Sequence, residues 1–222
     1  MLKSFSQGVS QLGDGRTQRI LWLSIAAAVV AFVLLWAGIG YLLTVTRVFE
    51  IGWLEWALDL LGGLATLVLT WFLFPGVVTA VIGFFLDDIA DAVEARHYPD
   101  LPPAQGLAAS QAALTALRYF GTVVLVNLGI LVFLVVPPLF PFVFYAANGY
   151  LLSREFFELV AQRRVGAGEM RRLRKRHRGQ LFVAGVIIMA LLTVPVVNLL
   201  APVVAAATMV HLFEGWRRDD VS

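Results

Sequence analysis

The chain has 222 residues, of which 59% are hydrophobic and 14% charged, with a net charge of +2 and a mean hydropathy of +0.82. Soluble domains carry about a quarter charged residues, so this composition excludes a soluble globular fold and indicates an integral membrane protein. The absence of cysteine excludes disulfides, iron–sulfur clusters and thiolate chemistry.

Residues 1–19 are polar and glycine-rich and show no signal-peptide cleavage pattern, so we expect an N-terminal amphipathic segment. Two blocks without Asp, Glu, Lys or Arg follow, at 20–46 and 60–86, each of 27 residues. A helix of that length crosses a hydrocarbon core of about 30 Å with some tilt. The sequence therefore predicts two long transmembrane helices, at 20–46 and 57–86.

An amphipathic helix and loop is predicted next, at 87–109. Its apolar residues fall on one side of a helix and its acidic residues on the other. A cation site on the acidic side is the alternative to a solvated face, which we favour. The acidic residues are Asp87, Asp88, Asp91 and Glu94.

The last two uncharged blocks, 119–153 and 179–213, have 35 residues each, too many for one upright helix and too few for two full crossings with a turn. Prolines interrupt both near the middle. We interpret 110–153 and 179–213 as two proline-broken hemi-penetrating helical hairpins in an all-α membrane domain. One kinked, strongly tilted helix per block is the alternative. The prolines are Pro137, Pro138, Pro141, Pro195 and Pro202.

Nine of the 17 Lys and Arg residues lie in the basic linker 154–178 between these hairpins. By the positive-inside rule the linker, the amphipathic helices and both termini, with the tail 214–222, are cytoplasmic. Attraction to anionic lipid headgroups explains such a run, and a vestibule that concentrates anions is the alternative. Since the run lies between two membrane-inserted blocks, we expect no nucleic-acid partner.

The sequence contains no enzyme motif, so no catalytic residue and no cofactor is predicted. The three histidines, His97, His177 and His211, lie in separate segments without spaced carboxylate or cysteine partners, so no metal site is predicted either. No Asp, Glu, Lys or Arg lies inside the four blocks, which favours passive conduction over ion-coupled transport.

Three asparagines are candidate pore-lining residues in the hairpin blocks. Polar side chains at membrane depth line a conduction path or hold helices together by interhelical hydrogen bonds, and the sequence leaves both readings open. The asparagines are Asn127, Asn148 and Asn198, the last at the predicted tip of the second hairpin.

The segment GDGRTQRI at 13–20 opens the first transmembrane helix and indicates an oxyanion site. A helix start presents unpaired N–H groups and a partial positive charge, and glycines allow a close backbone approach. The alternative is that the arginines only set topology at the lipid headgroups. The predicted substrate-binding residues are Gly15, Arg16, Thr17, Gln18 and Arg19.

Three segments carry a resemblance to a known family: FSQGVSQLGDGRTQRI, FPGVVTAVIGFFLDDIADAVEARHYP and EMRRLRKRHRGQLFVAGVIIMALLTVPVVNLLAPVVAAATMVHLF. With these segments the chain resembles the CysZ sulfate-permease family, the bacterial branch of the group with the EI24 domain. The resemblance implies sulfate uptake across the bacterial inner membrane, without ATP hydrolysis, for cysteine biosynthesis.

The resemblance also implies two transmembrane helices and two hemi-penetrating hairpins, assembled in the lipid bilayer as a homo-oligomer. The family's glycine–aliphatic–arginine motif, taken to bind sulfate, matches residues 15–19 here, where a threonine–glutamine pair separates the two arginines. The wider group includes eukaryotic members with other proposed roles. A non-conducting membrane scaffold or accessory protein is therefore the alternative function.

Overall fold

The computed structural model describes the backbone of residues 1–45, 52–104, 109–194 and 196–219. Within these residues all regular structure is helical, which confirms the all-α prediction. The α-helices are α1 (Leu2–Ser10), α2 (Gly15–Val45), α3 (Gly52–Phe84), α4 (Leu86–His97), α5 (Ala109–Leu131), α6 (Phe140–Ala161), α7 (Ala167–Arg176), α8 (Arg178–Thr193) and α9 (Val197–Asp219).

Helices α2 and α3 pack against each other and present an apolar surface outward. Trp36 Nε1 donates a hydrogen bond to Thr70 Oγ1 at 2.8 Å across their contact. The outer surface of α2 consists of large apolar side chains, which is stable against hydrocarbon and unfavourable against water. Examples are Trp22, Leu23, Val30, Val33 and Leu34.

Two helices among the described residues are long and apolar enough to cross a bilayer, Gly15–Tyr41 and Val197–Asp219. The first presents its surface outward, whereas the second is mostly buried inside the protein. Most of the second predicted transmembrane helix, 57–86, corresponds to α3. Several side chains of this helix are not among those that the structure describes.

Helix α9 is the centre of the bundle. It packs against α1, α3, α4, α6 and α8, and every residue from Ala201 to Glu214 is buried. Small side chains line much of this segment and let the surrounding helices approach closely. A Cβ atom on Gly8 of α1, for example, would collide with Thr208 Oγ1 and lie 3.0 Å from the Val204 carbonyl oxygen.

Both hairpin blocks contain an interruption of the helix, although not every proline contributes to it. A 3₁₀ turn, Val132–Val135, and a turn through Leu139 separate α5 from α6, and Pro137 and Pro138 lie in that interruption as predicted. Pro141 instead lies in the first turn of α6, where backbone N–H groups have no intrahelical partner anyway.

The second interruption lies between Thr193 and Val197, and Pro195 itself falls outside the described residues. Val196 has a φ of 68°, a left-handed conformation that is strained for a β-branched residue. Pro202 was assigned to the break and lies inside α9, so that part of the prediction is wrong. Buried protein packing tolerates the lost hydrogen bond to the Asn198 carbonyl.

Helices α6 and α8 cross with their backbones in contact. A Cβ atom on Gly185 would collide with the carbonyl oxygen of Gly149 and lie 2.7 Å from Ser153 Cβ. A Cβ atom on Gly149 would lie 2.9 Å from Val186 Cα. Close approach at small residues is the usual way for helices to associate in a membrane.

The acidic side of α4 is partly ion-paired, so the prediction of a solvated face is wrong for Asp91 and Glu94. Glu94 is only 4% exposed and binds both Arg163 and Arg164, which lie in the turn after α6. Arg163 also binds Asp91 and donates a hydrogen bond to the Asp87 carbonyl oxygen at 2.8 Å. This network holds α4 against the end of α6.

The basic linker 154–178 is mostly helical, because α6 continues to Ala161 and α7 follows after a short turn. Arg154 and Arg174 both bind Glu158, at 2.8 and 2.6 Å. Part of the linker's positive charge therefore stabilises the fold instead of facing lipid or solvent.

Candidate functional site

Helix α2 begins at Gly15 because Asp14 caps it. Oδ2 of Asp14 accepts hydrogen bonds from the backbone N–H groups of Arg16 and Thr17, both at 3.1 Å. A carboxylate at this position satisfies the first N–H groups and complements the helix dipole. The expectation that these N–H groups are unpaired is therefore wrong, since the protein's own carboxylate already binds them.

The guanidinium groups of Arg16 and Arg19 are exposed at the first turn of α2. Neither makes a hydrogen bond or an ion pair within the described part of the chain. Residues three apart are neighbours on a helix surface, so the two side chains lie on one face. Each guanidinium carries five N–H donors in a planar fork that suits an oxyanion. Arg16 and Arg19 therefore form a candidate two-arginine anion site.

The other predicted site residues divide between the exterior and the interior. Gln18 is exposed and donates a hydrogen bond to the Leu12 carbonyl oxygen at 3.2 Å. Thr17 is 1% exposed, and its hydroxyl group donates to Asp14 at 3.3 Å and accepts from Gln11 Nε2 at 3.2 Å. A Cβ atom added to Gly15 would meet nothing within 4 Å. Thr17 thus supports the cap from inside and does not face the arginines.

The C-terminal end of α4 lies beside the cap of α2. Arg96 Nη1 is 3.7 Å from Asp14 Oδ1, so Asp14 contacts α2 and α4 at once. The next two residues, His97 and Tyr98, contact α9. The site is therefore built from three elements that are far apart in the sequence.

His97 and His211 form a contact that the sequence did not predict. Their ring centroids are 4.8 Å apart in an edge-to-face arrangement, and a 2.9 Å hydrogen bond joins Tyr98 Oη to His211 Nδ1. Burial and the neighbouring Arg96 lower the pKa of His97, and Asp14 partly offsets this. Two imidazoles alone are not a metal site, and no group of three metal-binding side chains occurs among the described residues.

A signal for this contact was present in the sequence. Thr208, His211 and Glu214 recur every third residue in an otherwise apolar segment, which marks one polar stripe along a helix. All three are buried in α9. The three residues were not grouped at the level of sequence, because Glu214 lies one residue beyond the uncharged block 179–213.

The candidate pore-lining asparagines share no hydrogen bond with one another among the described residues. Asn127 Nδ2 donates to the Val123 carbonyl oxygen at 2.9 Å, and Asn148 Nδ2 donates to the Phe144 carbonyl oxygen at 3.0 Å. Both bonds lie within the residue's own helix. Asn198, at the start of α9, has a buried Oδ1 without a hydrogen-bond partner in the described residues.

The fold and this site define an α-helical membrane protein with a pair of arginines at the start of a helix that is long and apolar enough to cross a bilayer. A family model described as sulfate transporter CysZ/etoposide-induced protein 2.4, the EI24 family, matches residues 4–202. The chain belongs to this family. A search among curated proteins gave no match.

Proposed function

We propose that this protein conducts sulfate across the bacterial inner membrane without ATP hydrolysis, and so supplies sulfur for cysteine biosynthesis. Membership of the EI24 family supports the substrate. The observation that carries the proposal is the pair of guanidinium groups of Arg16 and Arg19 at the start of α2, which are exposed and form no ion pair with the described residues.

Sulfate is a tetrahedral dianion whose oxygens accept hydrogen bonds from two guanidinium forks at once. Hydrogen bonds to charged groups contribute about 1.5–3 kcal/mol each in partly desolvated sites. The Asp14 carboxylate next to the arginines weakens this attraction. A moderate affinity for sulfate suits a conduction path, where an ion must bind well enough to enter and weakly enough to leave.

In the proposed topology both termini and the basic linker face the cytoplasm, so Arg16 and Arg19 lie at the cytoplasmic end of α2. Helices α5 and α6, and α8 and α9, are then two hairpins that enter the membrane and return on the same side. The α-helix interruptions between Leu131 and Phe140 and between Thr193 and Val197 support this arrangement. Burial of α9 by protein supports it too, because an interrupted helix needs protein or water around its free backbone groups. We propose that homo-oligomer formation completes this enclosure.

A non-conducting membrane scaffold is the second candidate, and one observation favours it. The amide groups of Asn127 and Asn148 bond to their own helices, so they do not form a polar stripe that replaces the hydration shell of an ion. In this alternative the hairpins only shape an interface.

Uptake of radiolabelled sulfate into liposomes that contain only the purified protein tests the proposal. We expect saturable uptake without an added energy source, reduced at least about tenfold by Arg16→Ala with Arg19→Ala, the effect of losing about 1.4 kcal/mol of binding. No uptake by folded protein would favour the scaffold.

A matched control removes two other exposed positive charges, Arg171 and Lys175 on α7, which form no ion pair within the described part of the chain. We expect Arg171→Ala with Lys175→Ala to change uptake less than about twofold, because distant surface charges are screened by salt. An equal loss in both double variants would show general attraction of anions instead of a site.

A further inference from the structure

We propose that His97 and His211 are positioning residues for the anion site, which hold it in its binding geometry only while both imidazoles are neutral. The inference rests on the proposed function, because it concerns the affinity of Arg16 and Arg19 for sulfate. It adds a dependence on protons to the proposed two-arginine site.

The contact between the two rings requires neutral imidazoles. The rings pack edge to face with centroids 4.8 Å apart, and Tyr98 fixes the His211 ring through a 2.9 Å hydrogen bond. The Nε2 atoms of both histidines are buried without a hydrogen-bond partner in the described residues. Two imidazolium rings at this distance repel each other, and a buried charge without a partner is unfavourable.

The pair reaches the anion site through Arg96, the residue before His97. Arg96 lies 3.7 Å from Asp14, and Asp14 accepts the N–H groups that begin α2. If the end of α4 moves away from α9, Asp14 loses Arg96. The Oδ1 atom of Asp14 is then free to pair with the Arg16 guanidinium, two residues along the chain, and competes with sulfate for it, while Oδ2 still caps α2.

The other charged and titratable groups around the pair come from three elements. On α4, Arg96 opposes protonation of His97, and Asp14 before α2 favours it. On α9, Glu214 pairs with Arg217 at 2.8 Å, and the guanidinium carbon of Arg218 lies 4.9 Å from the centroid of the Tyr98 ring. These acids and bases are paired with each other, whereas the Nε2 atoms of the two imidazoles have no hydrogen-bond partner among the described residues.

The test measures the sulfate affinity of the full-length protein in detergent at about pH 7.5 and about pH 5.5. Sulfate stays a dianion over this range. We expect the wild-type affinity to fall by up to about tenfold, the limit reached when an open form with the ordinary histidine pKa of about 6.5 must lose one proton before sulfate binds at about pH 5.5. We expect His97→Gln and His211→Gln to reduce that fall to less than about threefold. His177→Gln, which removes the histidine outside the pair, keeps the wild-type fall.

The outcomes separate the two proposals. No sulfate binding by folded wild-type protein at the higher pH overturns the proposed function and this inference with it. Binding that does not weaken with acid, or weakens equally in His97→Gln, overturns the inference alone. His97 is only partly buried, so its variant carries the test even if the His211 variant does not fold.

Discussion

Replacing Gly185 with alanine tests the close crossing of α6 and α8. The added Cβ atom would collide with the Gly149 carbonyl oxygen and lie 2.8 Å from the Gly149 carbonyl carbon and 2.7 Å from Ser153 Cβ. Two of these atoms belong to the backbone of α6, and the third cannot rotate away. The collision is therefore relieved only if one helix moves.

Overpacking of this kind costs about 1–3 kcal/mol, and we expect the upper end because backbone must move. Alanine recovers about 1 kcal/mol through its better helix propensity. The net loss of about 2 kcal/mol corresponds to a melting temperature lower by about 4–8 °C for a chain of this size.

Thermal unfolding in detergent, followed by tryptophan fluorescence, measures the difference. Gly179→Ala on the same helix is the matched control, because a Cβ atom there meets nothing within 4 Å. We expect this control to raise the melting temperature by up to about 4 °C, through helix propensity alone. A Gly185→Ala protein that melts at or above the wild-type temperature would refute the close crossing.

Three further predictions concern stability. Glu94→Gln removes the buried carboxylate that Arg163 and Arg164 share and should cost about 3–5 kcal/mol, whereas the exposed Asp88→Asn should change stability by less than about 0.5 kcal/mol; similar melting temperatures for the two variants would contradict the ion-pair network. The pKa of His97 is lowered in the folded state, so the unfolded chain binds more protons below about pH 6.5. Stability contributed by neutral His97 is then present above that pH and lost below it, and the acid-induced fall in melting temperature should be smaller in His97→Gln, an equal fall counting against the contact. Val196→Gly removes the strain of a β-branched residue in the left-handed conformation, which should raise the free energy of unfolding by about 1–3 kcal/mol. The added freedom of the unfolded chain reduces this gain by up to about 1 kcal/mol. A lower melting temperature in this variant would contradict the strain.

Local patterns predicted the regular features of the fold. Helix α2 follows from an uncharged block long enough to span, and the interruption between α5 and α6 follows from Pro137 and Pro138, because a proline inside a helix removes a hydrogen bond wherever the chain goes. Pro202 shows the limit of this reasoning. Its cost depends on the surrounding protein, which the sequence does not reveal.

The sequence likewise predicted only part of the candidate site. The sequence located Arg16 and Arg19 at a helix start, yet it predicted free backbone donors where Asp14 provides a cap. The residue type was visible, since aspartate is a preferred cap. The second contact of Asp14, with Arg96, could not be predicted from the sequence, because it depends on where the end of α4 lies relative to α2.

The sequence by itself determined that this chain is an α-helical membrane protein with arginines at the start of its first long helix. Hydropathy, block length and charge act locally, residue by residue, and need no knowledge of neighbours. The tertiary structure alone decided that α9 is the buried centre, that Glu94 is paired with Arg163 and Arg164, and that His97 meets His211. These features depend on which helix faces pack together, and such long-range pairing is set by the summed packing of the whole bundle.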